Sequence, residues 1–187
     1  QKYHCTVLNG VPSMFLAITR NPAHKDYDLS SLRNGIIAGS PVSGEEYDMI
    51  HREIPGLVLF ASYGQTETAP CVSISDVGDS QAERATTAGR VLRHCEVRIL
   101  APDGTCRQTG EDGEICVRGY NVMQGYYHLP EETAKTIDAD GWLHTGDLGH
   151  LDGRNFLYVT GRIKEMIIRG GENISPREIE QVIRHYP

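Results

Sequence analysis

Two short apolar runs, Ile36-Ile37-Ala38 and Leu57 to Ser62, flank a segment that opens Ser43-Gly44-Glu45-Glu46. Serine followed three residues later by glutamate is capping-box spacing, so a helix is expected to about Arg52. Residues 4–8 read as an earlier strand, and a helix follows through Met14, Phe15 and Ile18. Strand, helix, strand, helix, strand predicts α/β organisation around a parallel sheet. Ligands in such sheets sit at the carboxyl ends of the strands. Gly39-Ser40-Pro41 and Tyr63-Gly64 both fall there.

The texture changes after about residue 75. Strand-like runs at 96–100, 114–118, 148–151 and 156–159 alternate with turn signals such as Pro102-Asp103-Gly104 and Asp152-Gly153. A helix is expected from Pro130 to about Ile137. The pattern predicts a small β-barrel-like subdomain or twisted sheet. A further boundary is expected near Gly161–Lys164. Beyond it, Ser175 and Glu178 repeat capping-box spacing, and Ile179, Val182, Ile183 and Tyr186 make one apolar stripe in need of a partner. The expected fold is therefore α/β: a partial parallel sheet layer over 1–80, the β-barrel-like subdomain over 81–161, and the hinge and start of an α+β C-terminal domain over 162–187. The chain reads as a piece of a longer protein.

Composition removes several classes. The 187 residues carry a formal net charge of -7, which argues against nucleic acid as the main partner, because phosphate-backbone binding needs a basic face. No apolar run approaches the roughly 20 residues of a membrane helix. Five scattered cysteines form no C-x-x-C pair, so reduced thiols in a cytosol-like compartment are expected and a zinc site is not.

Three clusters carry candidate chemistry. In Tyr63-Gly64-Gln65-Thr66-Glu67, Tyr63 offers a face to a purine, Thr66 a hydroxyl to a phosphate, and Glu67 a hard oxygen ligand to Mg²⁺. A purely structural turn is the plain alternative. In Gly141 to Gly149, Asp147 between glycines suits a ribose diol or caps a turn. His144, beside Trp142, is read as structural before it is read as a base. In Gly161 to Asn173, Arg162 and Lys164 share one face if the segment is extended. A solvated charged edge is the alternative there. Gly170-Gly171 permits close approach of a ligand or simply a tight turn.

The ordered series YGQTE (63–67), GEICVRG (113–119), NVMQGYY (121–127), GWLHTGDLG (141–149) and GRIKEMIIRGGENISPREIE (161–180) resembles the adenylate-forming (AMP-binding) superfamily. NGVPSMF (9–15) and AGSP (38–41) look most like its fatty-acyl-CoA synthetase branch. The resemblance implies that Gly39, Ser40 and Pro41 lie against adenine and the acyl carboxylate. It makes Tyr63, with Gly64, the adenine-stacking element, Thr66 a phosphate contact and Glu67 the magnesium ligand. Asp147 becomes the ribose ligand, helped by Arg162, and Lys164 the hinge between large and small domains. Glu165 stands where aspartate is commoner. Arg169, Gly170 and Gly171 belong to the segment that swings in for thioester formation.

The implied substrates are a carboxylic acid, ATP and coenzyme A, with Mg²⁺. Acyl-adenylate and pyrophosphate form first, then acyl-CoA and AMP. A carrier-protein adenylation domain and a non-catalytic nucleotide-binding module are the competing readings. The family's phosphate loop and late catalytic lysine have no counterpart within 1–187, so this stretch is not expected to complete adenylation alone.

Overall fold

The structure, a computed structural model, describes residues 2–169, 172–174, 176, 179, 182 and 183. Proline at the first helical position opens α1 (Pro12–Arg20), which buries Pro12, Phe15, Leu16 and Thr19 along one stripe. The strand β1 (Asn34–Ala38) leads into α2 (Gly44–Glu53), and the chain returns as β2 (Val58–Tyr63). The expected capping box is present: Ser43 Oγ accepts from Glu46 N at 3.2 Å, and Glu46 Oε2 accepts from Ser43 N at 3.1 Å. Such a cap is worth about 1 kcal/mol. β1 and β2 are parallel, from Asn34 opposite Val58 to Ala38 opposite Ser62.

Residues 4–8 depart from expectation. They form no named strand; instead Val7 and Gly10 make isolated parallel bridges to Asn34 and Ile37. Backbone bonds join Thr6, Leu8 and Gly10 to β1, but Ile36 N donates to the Asn9 side-chain Oδ1 at 2.9 Å instead of to a backbone carbonyl, which interrupts the ladder. β3 (Ser73–Ile74), α3 (Gln81–Thr86) and β4 (Arg90–Val91) complete the first sheet, in the order β1-β2-β3-β4. Phe15, Ile37, Ile50, Ile54, Leu57 and Leu59 pack its core against the helices. Tyr47 is buried there with its hydroxyl donating to Leu59 O at 2.6 Å.

The second sheet contains β5 (Cys95–Leu100), β6 (Gly113–Gly119), then, after α4 (Pro130–Thr136), β7 (Leu143–Leu151) and β8 (Leu157–Arg162). All its pairings are antiparallel, in the order β5-β6-β7-β8. Among the described residues it is an open twisted meander with no closed barrel. Ile99, Ile115, Val117 and Leu157 meet Val72 in a second core.

Backbone bonds at one place bind the two sheets. Ala88 N donates to Leu157 O at 2.8 Å, and Leu157 N donates to Gly89 O at 2.9 Å. Arg90 lies 3.9 Å over the Phe156 ring and pairs with the buried carboxylate of Asp79. Gly89 has φ +81°, and a Cβ there would come within 2.0 Å of the Ile74 backbone, so only glycine fits this seam. A short antiparallel pair, β9 (Ile167–Arg169) with β10 (Glu172–Ile174), follows. The expected Ser175/Glu178 capping box and Tyr186 lie outside the described residues. No helix of the described residues is long and apolar enough to cross a membrane.

Candidate functional site

The parallel pairing of β1 and β2 brings their carboxyl ends side by side. Gly39-Ser40-Pro41 leaves one strand and Gly64-Gln65 leaves the other, and all five line a cavity of about 550 Å³. The second sheet contributes Asp147, Val159, Gly161 and Arg162 to the lining. A volume of this size accommodates a small-molecule ligand.

Tyr63 and Asp147 meet on the cavity wall, although 84 residues separate them. The Tyr63 hydroxyl donates to Asp147 Oδ2 at 2.8 Å. Arg162 Nε lies 3.1 Å from Asp147 Oδ1. Two features of the second sheet arrange this. Asp147 and Arg162 are direct cross-strand partners, and β7 bulges so that four residues on it span what two span on β6. Inside the bulge, Thr145 Oγ1 accepts from Asp147 N at 3.1 Å and donates to Ile115 O at 2.7 Å. Bulges commonly re-aim a side chain beside a site. Asp147 is buried within a strand, which rules out the turn-capping alternative. Burial first, and the adjacent Asp147 charge second, push the Tyr63 phenol well above its ordinary range. Tyr63 therefore stays a neutral donor at any physiological pH.

Gly64 has a steric requirement of its own: a Cβ would fall 1.9 Å from Pro70 O. That close approach turns the chain immediately after β2 into the 3-10 turn Thr66–Thr68. Thr66 is exposed, and neither it nor Glu67 lines the cavity. Glu67 Oε1 accepts from the Tyr126 hydroxyl at 2.8 Å, and Glu67 O accepts from Met123 N at 2.8 Å. Those contacts lock the YGQTE turn onto the NVMQGYY segment. Tyr126 was not singled out from sequence, because nothing local links it to residue 67.

The third cluster needs a correction. Arg162 and Lys164 do not share a face as two residues of one extended strand. β8 ends at Arg162, and Ile163–Glu165 is a 3-10 turn with Met166 N donating to Ile163 O at 3.4 Å. Arg162 points to Asp147, Lys164 is exposed, and Glu165 lines the cavity. Arg169 ends β9 away from the cavity lining. Gly170 and Gly171 lie outside the described residues.

Comparison with known proteins bears on the family. Residues 1–127 match the AMP-binding enzyme family. The chain is 47% identical over its whole length to YngI of Bacillus subtilis, a candidate acyl-CoA synthetase, covering 34% of that protein. It is 39% identical over 96% of its length to the mitochondrial medium-chain acyl-CoA ligase of Bos taurus, covering 29% of it. Among solved structures, O-succinylbenzoate coenzyme A synthetase from Bacillus subtilis, in complex with ATP and magnesium ion, superposes with a TM-score of 0.83 at 34% identity. That match covers 98% of this chain and 37% of the other. The chain thus spans about a third of the length of the curated relatives it matches. A mixed α/β framework, a cavity at the ends of parallel strands and a match over residues 1–127 together place this chain in the AMP-binding enzyme family.

Proposed function

We propose that this chain forms the adenosine-binding wall, and the start of the interdomain hinge, of an ATP-dependent acyl-CoA synthetase. The Tyr63–Asp147–Arg162 constellation on the cavity wall carries the reading. In it, Asp147 accepts the ribose hydroxyls, Arg162 holds Asp147 and adds positive charge, and the Tyr63 ring flanks adenine. Gly39, Ser40 and Pro41 bound the side where base and acyl carboxylate meet. The carboxylate oxygen attacks the α-phosphorus of ATP, the bond to the bridging oxygen breaks, and pyrophosphate leaves. The thiolate of coenzyme A then attacks the acyl carbon and AMP departs. Both steps depend on positioning and charge neutralisation rather than on a protein nucleophile.

Glu67 fits a magnesium ligand. Its carboxylate is half-buried, accepts one hydroxyl bond, and is in no ion pair among the described residues. Such an ion supplies neutralisation of phosphate charge. Thr66, on the same turn, is read as the phosphate contact. The acid is read as a fatty or related carboxylic acid and the compartment as cytosolic, with all five thiols free.

The test uses the full-length enzyme. Calorimetry with AMP and a pyrophosphate-release screen over short, medium, long-chain and aromatic acids should give AMP binding and acid-dependent release. Absence of both would sink the reading. The hinge assignment has its own test. Proline at 164 fixes φ where rotation is required, so Lys164→Pro should leave adenylate formation near wild type. Thioester formation should slow by about tenfold or more, roughly 1.4 kcal/mol on that barrier. Equal loss in both half-reactions would remove Lys164 from the hinge.

A further inference from the structure

On the second sheet, outside the cavity, three side chains with metal-ligating atoms converge. Cys116 and His144 are direct partners in the β6–β7 register. Cys116 Sγ lies 3.5 Å from His144 Nδ1, and Glu114 Oε2 lies 2.9 Å from the same nitrogen. The three ligand atoms fall within 4.8 Å of one another. A tetrahedral ion with sulfur at about 2.3 Å and nitrogen at about 2.0 Å sets those two atoms about 3.5 Å apart. The cysteine–histidine pair already has that spacing. The Glu114 oxygen lies within 4.8 Å of the other two atoms and needs to swing toward the sulfur and slightly away from the nitrogen to become a ligand of the same ion.

The surroundings hold these groups in place. Glu114 Oε1 accepts from Gly146 N at 3.1 Å, which leaves Oε2 facing the histidine. On the far side of the ring, His144 Nε2 lies 3.8 Å from Asp138 Oδ2. A carboxylate behind the second nitrogen is the usual support of a metal-bound imidazole. Asp138 is itself fixed by Arg98 at 3.0 Å and by the backbone N of Trp142 at 2.8 Å. Cys116 is wholly buried, while His144 and Glu114 are half-buried, so the site opens to solvent on their side.

The geometry points to a second ligand site in this chain: Glu114, Cys116 and His144 bind a borderline divalent cation of the Zn²⁺ class, with Asp138 orienting the imidazole. A thiolate with an imidazole selects such an ion over Mg²⁺ or Ca²⁺, which prefer oxygen. Three protein ligands leave a fourth position for water. None of the four residues lines the cavity, so the proposal stands apart from the nucleotide reading.

Binding has a proton balance. Glu114, Asp138, His144 and Arg98 are the charged and titratable groups around the sulfur; the two carboxylates oppose its ionisation and Arg98 favours it. Burial first, then Glu114, push the Cys116 thiol up to about 12, and Arg98 opposes them. Ion binding releases the thiol proton to solvent and needs His144 Nδ1 unprotonated, with the ring N–H on Nε2, toward Asp138. The carboxylates and thiolate then balance the ion and Arg98. Apparent affinity should rise between about pH 7 and 9, because ion binding releases a proton from the ligand set.

The experiment titrates the full chain with Co²⁺ alone, as a coloured stand-in for Zn²⁺. A thiolate-to-cobalt charge-transfer band should appear, strengthen with pH and vanish when Zn²⁺ is added. Cys116→Ser should abolish the band, and Asp138→Asn should weaken binding on the order of tenfold. If the serine variant fails to fold by circular dichroism, His144→Gln, which keeps the thiol, must still lose affinity. No band in the wild type across that pH range overturns the site. So does a band that survives Cys116→Ser, or an affinity unchanged in His144→Gln.

Discussion

Asp147→Ala should weaken AMP binding by about 3 kcal/mol, on the order of 100-fold in Kd, because the charge-assisted contacts proposed between its carboxylate and the ribose would be lost. Calorimetry on the full-length enzyme reads the loss directly. The protein should remain folded. Arg162, the partner left behind, is 64% exposed and stays hydrated. The Tyr63 hydroxyl loses its acceptor, which costs about 1–3 kcal/mol of stability. Asp147→Asn should fall between wild type and alanine in affinity, since it still accepts hydrogen bonds without the charge. A folded alanine variant that binds AMP as the wild type does would contradict the assignment of Asp147 to the ribose.

Gly89→Ala should be among the most damaging changes of a single methyl group in the chain. The new Cβ would meet the carbonyl carbon and oxygen of Ile74 and the nitrogen of Ser75 at 2.0–2.3 Å, all of them backbone. It would also hold a side chain at φ +81°. The two penalties together come to about 4 kcal/mol. In a chain of this size that lowers the melting temperature by roughly 10 °C. Gly153→Ala is the control: a Cβ there meets nothing within 4 Å, and its effect should stay within about 0.5 kcal/mol. Thermal unfolding compares the two. Equal midpoints would mean that the seam between the sheets yields without cost.

What could be read from sequence followed the range of the interaction. The α2 cap joins residues three apart, and its spacing alone predicted the helix. The same signal stands at Ser80 and Glu83, where both cap bonds form, yet that helix went unread. It buries none of its residues, so no apolar stripe accompanied the cap. β3 and β4 are two residues each, too short to show alternation. The meeting of Tyr63 with Asp147 depends on two sheets and a bulge, and only the order of the motifs hinted at it. Counting C-x-x-C pairs tests for ligands adjacent in sequence. It is blind to Cys116 and His144, which sheet register brings together. The extended reading of Arg162 and Lys164 failed because the strand gives way to a 3-10 turn at Ile163.

The Asp147 carboxylate has an acceptor capacity that can be counted. Two oxygens offer about four lone-pair positions. Tyr63 takes one on Oδ2 and Arg162 one on Oδ1, so about half remain, one beside each internal partner. A vicinal diol brings two donors. A ribose bound as proposed can dock by addition, with no internal bond broken to admit it. The clamp that joins the two sheets would then also be the gauge of whether the cavity is filled.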